Sequence, residues 1–426
     1  MGKLGERPLR ILWVKAGKIL PAHSGGNIRS CHILRQLASR HELTFFSYYS
    51  GVPDAEYEKE LTRQFPGAVC LYTGRRGTNL LTRALDYVVR VPTRAPYAVS
   101  RFESTRVQDR LNTWFEEDCF DVAVCDFLDA AVNFSPSPPI PVVLFQHNVE
   151  SEIWRRHVLT EQSPARRLLY RVEFEKMLNY ERSVLQKVHH VIAVSEHDRQ
   201  LMSAWTDSAR ITVVPTGVDL QQYRPSPSAG AKEPLVLFVG AMDWEPNIDA
   251  VEYFCREIWP SIQAMVPAAR FRIVGRDPVR RVQRLASNSV EVTGAVPSVV
   301  DHLQESSVVV VPLRVGSGTR LKIYEAMAAG KAVVSTSIGA EGLDVHPDQD
   351  ILLADDPSSF SGAVTMLLED VDLRRRYERA AAALAAGYDW AAIGDRFAQV
   401  LETLVAKTSP ETSHHTESHC VTDVHS

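Results

Sequence analysis

The stretch VVVVPLRVGSGTRLKIYEAMAAGKAVVS, residues Val308–Ser335, changes its apolar period three times. Val308–Val311 is apolar at every position, the pattern of a strand covered on both faces in a parallel sheet. A loop with Gly316 and Gly318 follows, then a helical pattern, then a glycine at 330 and a second short strand, Val333–Ser335. Thr319 is the expected N-cap and Gly330 the expected stop. Strand, loop, helix and strand in this order make a βαβ unit.

The same stretch carries chemistry. Two glycines let a ligand approach the backbone, and the helix start offers free N–H groups and a positive dipole end, which favour an anion. Arg320 and Lys322 add cations in the first turn, and Lys322 and Glu325, three apart, share a helix face. A diphosphate would meet Lys322, and a hydroxylated ring could bond Glu325. A dinucleotide fingerprint needs a third glycine where Leu321 stands, and a P-loop needs Ser or Thr where Ala332 follows Gly330-Lys331. An ordinary βαβ turn with an exposed Lys–Glu pair is the plain alternative. Loop, cations and carboxylate within ten residues favour a phosphate site.

Outward from this stretch, strand-like runs recur at Ile11–Val14, Leu43–Ser47, Val69–Tyr72, Val122–Cys125, Val142–Phe145, Val191–Val194 and Ile211–Val214. After a break they resume at Leu235–Val239, Phe271–Val274 and Val290–Thr293. Strands alternating with helices over 426 residues predict an α/β chain of two Rossmann-like, doubly wound domains facing a central cleft. Pro225–Gly230, rich in Pro, Ser and Gly, reads as the linker. The expected domains are 1–224 and 235–388. A helix over 389–408 follows, with Trp390, Ile393, Phe397, Val400, Leu401 and Leu404 on one stripe, and 409–426 reads as a disordered tail bearing four histidines.

The bulk numbers exclude several classes. A net charge of -5 gives no reason to expect nucleic-acid binding. Six scattered cysteines without a C-x-x-C pair make neither a disulfide framework nor a zinc site and fit a reducing, cytoplasmic setting. No apolar run is long enough to span a bilayer. The arginines between Arg75 and Arg106, interleaved with Leu80, Leu81, Leu85, Val88 and Val89, form a basic amphipathic patch that can touch the inner face of an anionic membrane or a lipid-linked acceptor. A solvated basic face over a normal core is the weightier reading. Asp348-Gln349-Asp350 and Asp370-Val371-Asp372 do not follow strands, so they read as solvated turns, and no metal is expected.

The core YEAMAAGKAVVS, with its Glu325, resembles the donor-site signature of the retaining GT-B glycosyltransferases of family 4. Weaker markers fall in the family's order: Gly25-Gly26 after the first strand, His147, Val194-Ser195-Glu196, Val214–Asp219, Phe238-Val239-Gly240 and Ile273-Val274-Gly275. The resemblance implies transfer of a sugar from a nucleotide-sugar donor to a carbohydrate or lipid-linked acceptor with retention, in polysaccharide or glycoconjugate biosynthesis. No further cofactor is implied. It places the donor in the second domain and the acceptor in the first, and sends the last helix back to the first. Strand-end position, the chemistry of the helix start and this resemblance together give Gly240, Asp243, Asn247, Gly275, Gly316, Ser317, Gly318, Thr319 and Glu325 as donor-binding, with the resemblance placing Glu325 on the ribose. Gly25 and Gly26 go to the acceptor and phosphate loop, and His147, Arg320 and Lys322 to catalysis. His147 would contact the donor sugar or stabilise charge; Glu150 is a weaker candidate that could cap the next helix. Two departures stand out. The first of the family's paired glutamates would fall at 317, where this chain has Ser317. Ala241-Met242-Asp243-Trp244 replaces the Arg that usually follows Gly240, so the phosphate load moves to Arg320 and Lys322. The rival readings are an epimerase or phosphorylase on the same fold, and a non-catalytic nucleotide-sugar binder.

Overall fold

In the computed structural model, described residues are 7–22, 24–74, 86–90, 93–225, 234–315 and 320–408. They group into two compact units, one from Met1–Val214 with Ile393–Ser426, the other from Pro215–Ala392.

The first unit holds a seven-stranded parallel sheet: β1 (Arg10–Ala16), β2 (Glu42–Tyr49), β3 (Val69–Tyr72), β4 (Val122–Asp126), β5 (Val142–Gln146), β6 (His190–Ala193) and β7 (Ile211–Val213), in the order β3-β2-β1-β4-β5-β6-β7. Each expected run appears within about two residues. The order reverses between β1 and β4, which opens a crevice at their carboxyl ends, the place where such sheets bind ligands. The apolar runs explain the strands: Ile11–Val14 and Val122–Cys125 are buried throughout. The helix Trp390–Thr408 presses Phe397 on Trp13 and Phe145, with ring centroids 5.5 and 5.0 Å apart, so from Ile393 onward it packs on the first unit's core.

The second unit holds β8 (Leu235–Val239), β9 (Arg270–Val274), β10 (Val290–Gly294), β11 (Val308–Val311), β12 (Ala332–Ser335) and β13 (Leu352–Leu353), in the order β10-β9-β8-β11-β12-β13, again parallel. All four valines of β11 are buried, as a strand covered on both faces requires. Here the reversal lies between β8 and β11, so Gly240 and the loop after Val311 flank the crevice.

The boundary differs from the expected one. Residues 215–225 group with the second unit, because Val218 bridges to Asp389, Gly217 lies under the Trp390 ring, and Tyr223 bonds Glu325. The remainder of the linker, 226–233, and the tail, 409–426, lie outside the described residues. Cys31, Cys70, Cys125 and Cys255 are free thiols, whereas Cys119 is disulfide-bonded, a bridge the cysteine spacing does not announce. Among the described residues no helix is long and apolar enough to cross a membrane.

Candidate functional site

The helix after β11 runs from Leu321 to Ala328 with Arg320 at its N-cap. Its end is the expected one: Gly330 adopts φ +71° and the Gly330 and Lys331 N–H groups return to Met327 and Ala326, closing a left-handed C-terminal cap. Gly316, Ser317, Gly318 and Thr319 lie outside the described residues.

Lys322 leans from this helix to the end of β8. Its Nζ donates to Asn247 Oδ1 at 2.9 Å and sits 4.4 Å from the centre of the Phe238 ring. Asn247 is fixed in turn by donating to the Ala241 carbonyl at 2.9 Å. Gly240 is needed bare, since a Cβ there would lie 2.6 Å from Asn247 and 2.8 Å from Lys322. Burial, with Arg320 beside it, lowers the Lys322 pKa to about 7 against the pull of Glu325. Burial raises the Glu325 pKa, while a hydrogen bond from Tyr223 and the charge of Lys322 act the other way. The Tyr223 hydroxyl is pushed up by burial and by the carboxylate it serves. The Arg320 guanidinium lies 5.8 Å over the Trp244 ring, which is exposed. One ammonium and one carboxylate, each with a single protein hydrogen-bond partner among the described residues, thus sit at the switch point of the second sheet.

Two residues expected at this site have structural partners of their own. Gly275 is bare because the Gly240 carbonyl would lie 1.6 Å from its Cβ, so its glycine serves the packing of two strand ends. Asp243 is exposed and pairs with Arg276 at 3.6 Å. Tyr223 went unnoticed in the sequence; it falls just before the linker, where no period marks it.

At the switch point of the first sheet a buried charge network surrounds Asp126, the last residue of β4. Its carboxylate meets His147 Nε2 at 2.7 Å, Ser30 Oγ at 3.0 Å, Trp13 Nε1 at 3.1 Å and Lys15 Nζ at 3.7 Å. Burial works against this charge, but Lys15 and His147 outweigh it and hold the pKa below the ordinary value. His147 stacks on Phe127 at 3.7 Å, and Arg29 lies 2.8 Å from its Nδ1. An arginine can only donate, so Nδ1 accepts and Nε2 carries the proton given to Asp126. Burial lowers the His147 pKa to about 3, consistent with a neutral ring. Both ring nitrogens are therefore engaged, and in this arrangement neither is offered to a donor sugar.

Gly25 and Gly26 begin the helix Gly25–Ala38 behind the N-cap Ser24, whose side chain accepts from Asn27 N at 3.2 Å. A Cβ on Gly26 would lie 2.3 Å from the Phe127 ring, and Phe127 itself has φ +68°. Glu150 opens a helix but does not cap it. Glu181 does so from thirty-one residues away, accepting from Glu150 N at 2.8 Å and Ser151 N at 3.1 Å. Burial with Asp129 and Glu181 nearby pushes the Glu150 carboxyl up to about 8. Of the Asp-x-Asp triplets, Asp370 caps a helix through Leu373 N. Asp350 is not the expected solvated turn: it is buried and holds His346 through the backbone N–H at 2.9 Å and Nδ1 at 2.8 Å.

Known proteins resemble both units. Residues 23–222 match the family described as Glycosyltransferase Family 4, and residues 233–370 the one described as Glycosyl transferases group 1. The D-inositol 3-phosphate glycosyltransferase of Nocardia farcinica is 29% identical over 236 residues, 50% of this chain and 52% of that protein. The phosphatidyl-myo-inositol mannosyltransferase of Mycolicibacterium smegmatis is 28% identical over 232 residues, 51% of this chain and 58% of that protein. The chain thus spans about half the length of the curated relatives it matches. The structure of Anabaena HepE in complex with UDP and glucose superposes with a TM-score of 0.65 at 15% identity, covering 93% of this chain and 100% of that one, a likeness of fold. Residues 23–222 and 233–370 thus match glycosyltransferase domains of family 4 and group 1, and the fold is that of GT-B structures.

Proposed function

We propose that the chain transfers a sugar from a nucleoside-diphosphate donor to an acceptor hydroxyl, with retention of configuration and without a metal. The observation that carries this reading is Lys322, held by Asn247 beside the bare Gly240 turn at the second unit's switch point, with Glu325 one helical turn on. Breaking the glycosyl–phosphate bond leaves negative charge on the diphosphate. Lys322, Arg320 and the helix-start N–H groups would stabilise that charge more in the transition state than before it. Glu325 would accept from the ribose hydroxyls. Transfer on the donor's own face, assisted by the leaving phosphate, fits a site that shows no paired carboxylates for double displacement among the described residues. The HepE structure with UDP and glucose supports a nucleotide sugar as donor.

His147 serves in this reading as a positioning group for the Gly26 loop, through Phe127, and the acceptor is assigned to the first unit. The names of the two relatives make an inositol phosphate, free or lipid-borne, the first acceptor to try. The test has two stages. Calorimetric titration with UDP, GDP and ADP identifies the base, and release of that nucleoside diphosphate from its sugar is then followed with and without acceptor. Release that rises with acceptor supports transfer. Tight binding without any release would turn the reading to a non-catalytic binder.

A further inference from the structure

A cavity of about 430 Å³ lies along the last turns of the helix Pro164–Lys187, and nothing in the transfer reading uses it. The 3-10 helix Leu128–Asn133 and the proline-bearing segment after it form the facing wall. Val142, the first residue of β5, and Val188, two residues before β6, also line it. The cavity therefore lies toward the amino ends of these strands. The crevice that holds the Asp126 network lies at the carboxyl ends. The volume suits a small organic ligand.

The walls select the body of such a ligand. Phe134, Tyr180, Pro136 and Pro138 present rigid rings, which favour an aromatic body over a flexible chain. The Tyr180 hydroxyl is buried with no hydrogen-bond partner among the described residues. Its ring is thus held by packing alone and can tilt to meet a ligand.

The charge at the mouth selects the head group. Arg94 and Lys187, both exposed, line the cavity together, and no carboxylate lines it. Neither cation has an ion-pair partner among the described residues. Of the basic patch expected between Arg75 and Arg106, residues 75–85 and 91–92 lie outside the described residues, and Arg90 pairs with Asp86 at 3.0 Å. Arg94 belongs to this mouth instead, with the Asn179 amide and the Ser183 hydroxyl as neighbouring donors. Two unpaired cations over an apolar floor complement an anion carried on an apolar body.

We propose that this cavity binds a small aromatic carboxylate, with the acid group between Arg94 and Lys187 and the ring against Phe134, Tyr180 and the two prolines. The proposal does not rest on the transfer reading, since the cavity belongs to the first unit and Lys322 to the second.

Calorimetric titration of the full chain with 2-naphthoate tests it, with 2-naphthylmethanol as the neutral counterpart. The acid should bind at least about tenfold more tightly than the alcohol, the worth of charged hydrogen bonds. Arg94→Gln with Lys187→Gln should remove that advantage and leave the alcohol unchanged. Ser183→Trp, which fills the cavity, should weaken both. The two glutamine substitutions are at exposed positions, so thermal melting should match the parent and keep the test readable if Ser183→Trp fails to fold. Lys322→Met should leave naphthoate binding unaltered. No naphthoate binding below about 1 mM would overturn the proposal. So would equal affinity for acid and alcohol, or binding that survives the glutamine pair and disappears with Lys322→Met.

Discussion

Binding of a nucleoside diphosphate should draw a proton from solution, and Lys322 should be where it goes. Burial and Arg320 hold its pKa at about 7, so at pH 8 about one-tenth of free sites carry the ammonium. A phosphate charge about 4 Å away, at an effective dielectric near 20, contributes about 4 kcal/mol, or roughly three pKa units upward. The bound lysine is then almost fully charged, and each binding event takes up about 0.9 proton at pH 8. The sign follows: a base whose pKa rises on binding binds better at lower pH. Affinity should fall about fiftyfold from pH 7 to pH 9, a range in which the terminal phosphate, with a pKa near 6, is largely ionised. Titration calorimetry at pH 8 in buffers of different ionisation enthalpy reads the proton count directly. Lys322→Met keeps the volume and removes the titration. Uptake below about 0.2 proton, or equal uptake in parent and variant, would refute the assignment of Lys322 to the diphosphate.

Glu325→Gln should weaken both the nucleotide sugar and the bare nucleoside diphosphate about ten- to a hundredfold, the worth of charged hydrogen bonds to two hydroxyls. A 3′-deoxy nucleotide should narrow the gap; turnover lost at unchanged affinity would move Glu325 to the chemistry. Activity should survive metal stripping with EDTA, and a loss restored only by manganese or magnesium would contradict the metal-free reading. Asp126→Asn should cost about 3–5 kcal/mol in urea unfolding, because it leaves the Lys15 cation buried without its counter-charge. The Asp126 pKa lies below its ordinary value, so this contribution is present above about pH 4 and fades as pH falls through the folded value. A cost under about 1 kcal/mol would mean that the network relaxes on losing its charge.

Where the apolar period is strong the sequence carries the fold almost residue by residue, as the four valines of β11 do. Where it is short it carries nothing: β13 has two residues, too few for any period, and only its pairing with β12 makes it a strand. The domain boundary shows a different gap. Composition marks the Pro- and Ser-rich linker, but the pairing of Val218 with Asp389 decides which unit 215–225 joins, and that contact spans 171 residues. Lys322, Asn247 and Glu325 were legible because strand-end position and helix spacing are local. Asp126, Arg29 and Tyr223 were not, because their roles come from partners on other elements; Asp126 stood one residue past a recognised strand, the best signal available.

Two charge sites lie at the two switch points, the Asp126 network buried and the Lys322–Glu325 pair half-buried, and their hydrogen bonding distinguishes them. Asp126 receives bonds from His147, Ser30 and Trp13 and the charge of Lys15, so a carboxylate with about four acceptor positions is nearly saturated. Such a group sets geometry; its pKa moves down and its proton traffic stops. Lys322 and Glu325 are the reverse case. An ammonium with three donors has one acceptor, Asn247, and the carboxylate has one donor, Tyr223, among the described residues. Their pKa values are pushed toward neutrality, which means that each charge costs free energy where it stands. Half-buried charges with spare hydrogen-bonding capacity and shifted pKa values at a strand-end crevice are a mark of ligand sites. A diphosphate would supply acceptors to the first and ribose hydroxyls would supply donors to the second, so one ligand would offset both costs at once. That complementarity is why the second unit's switch point is assigned to the donor and the first unit's Asp126 network to structure.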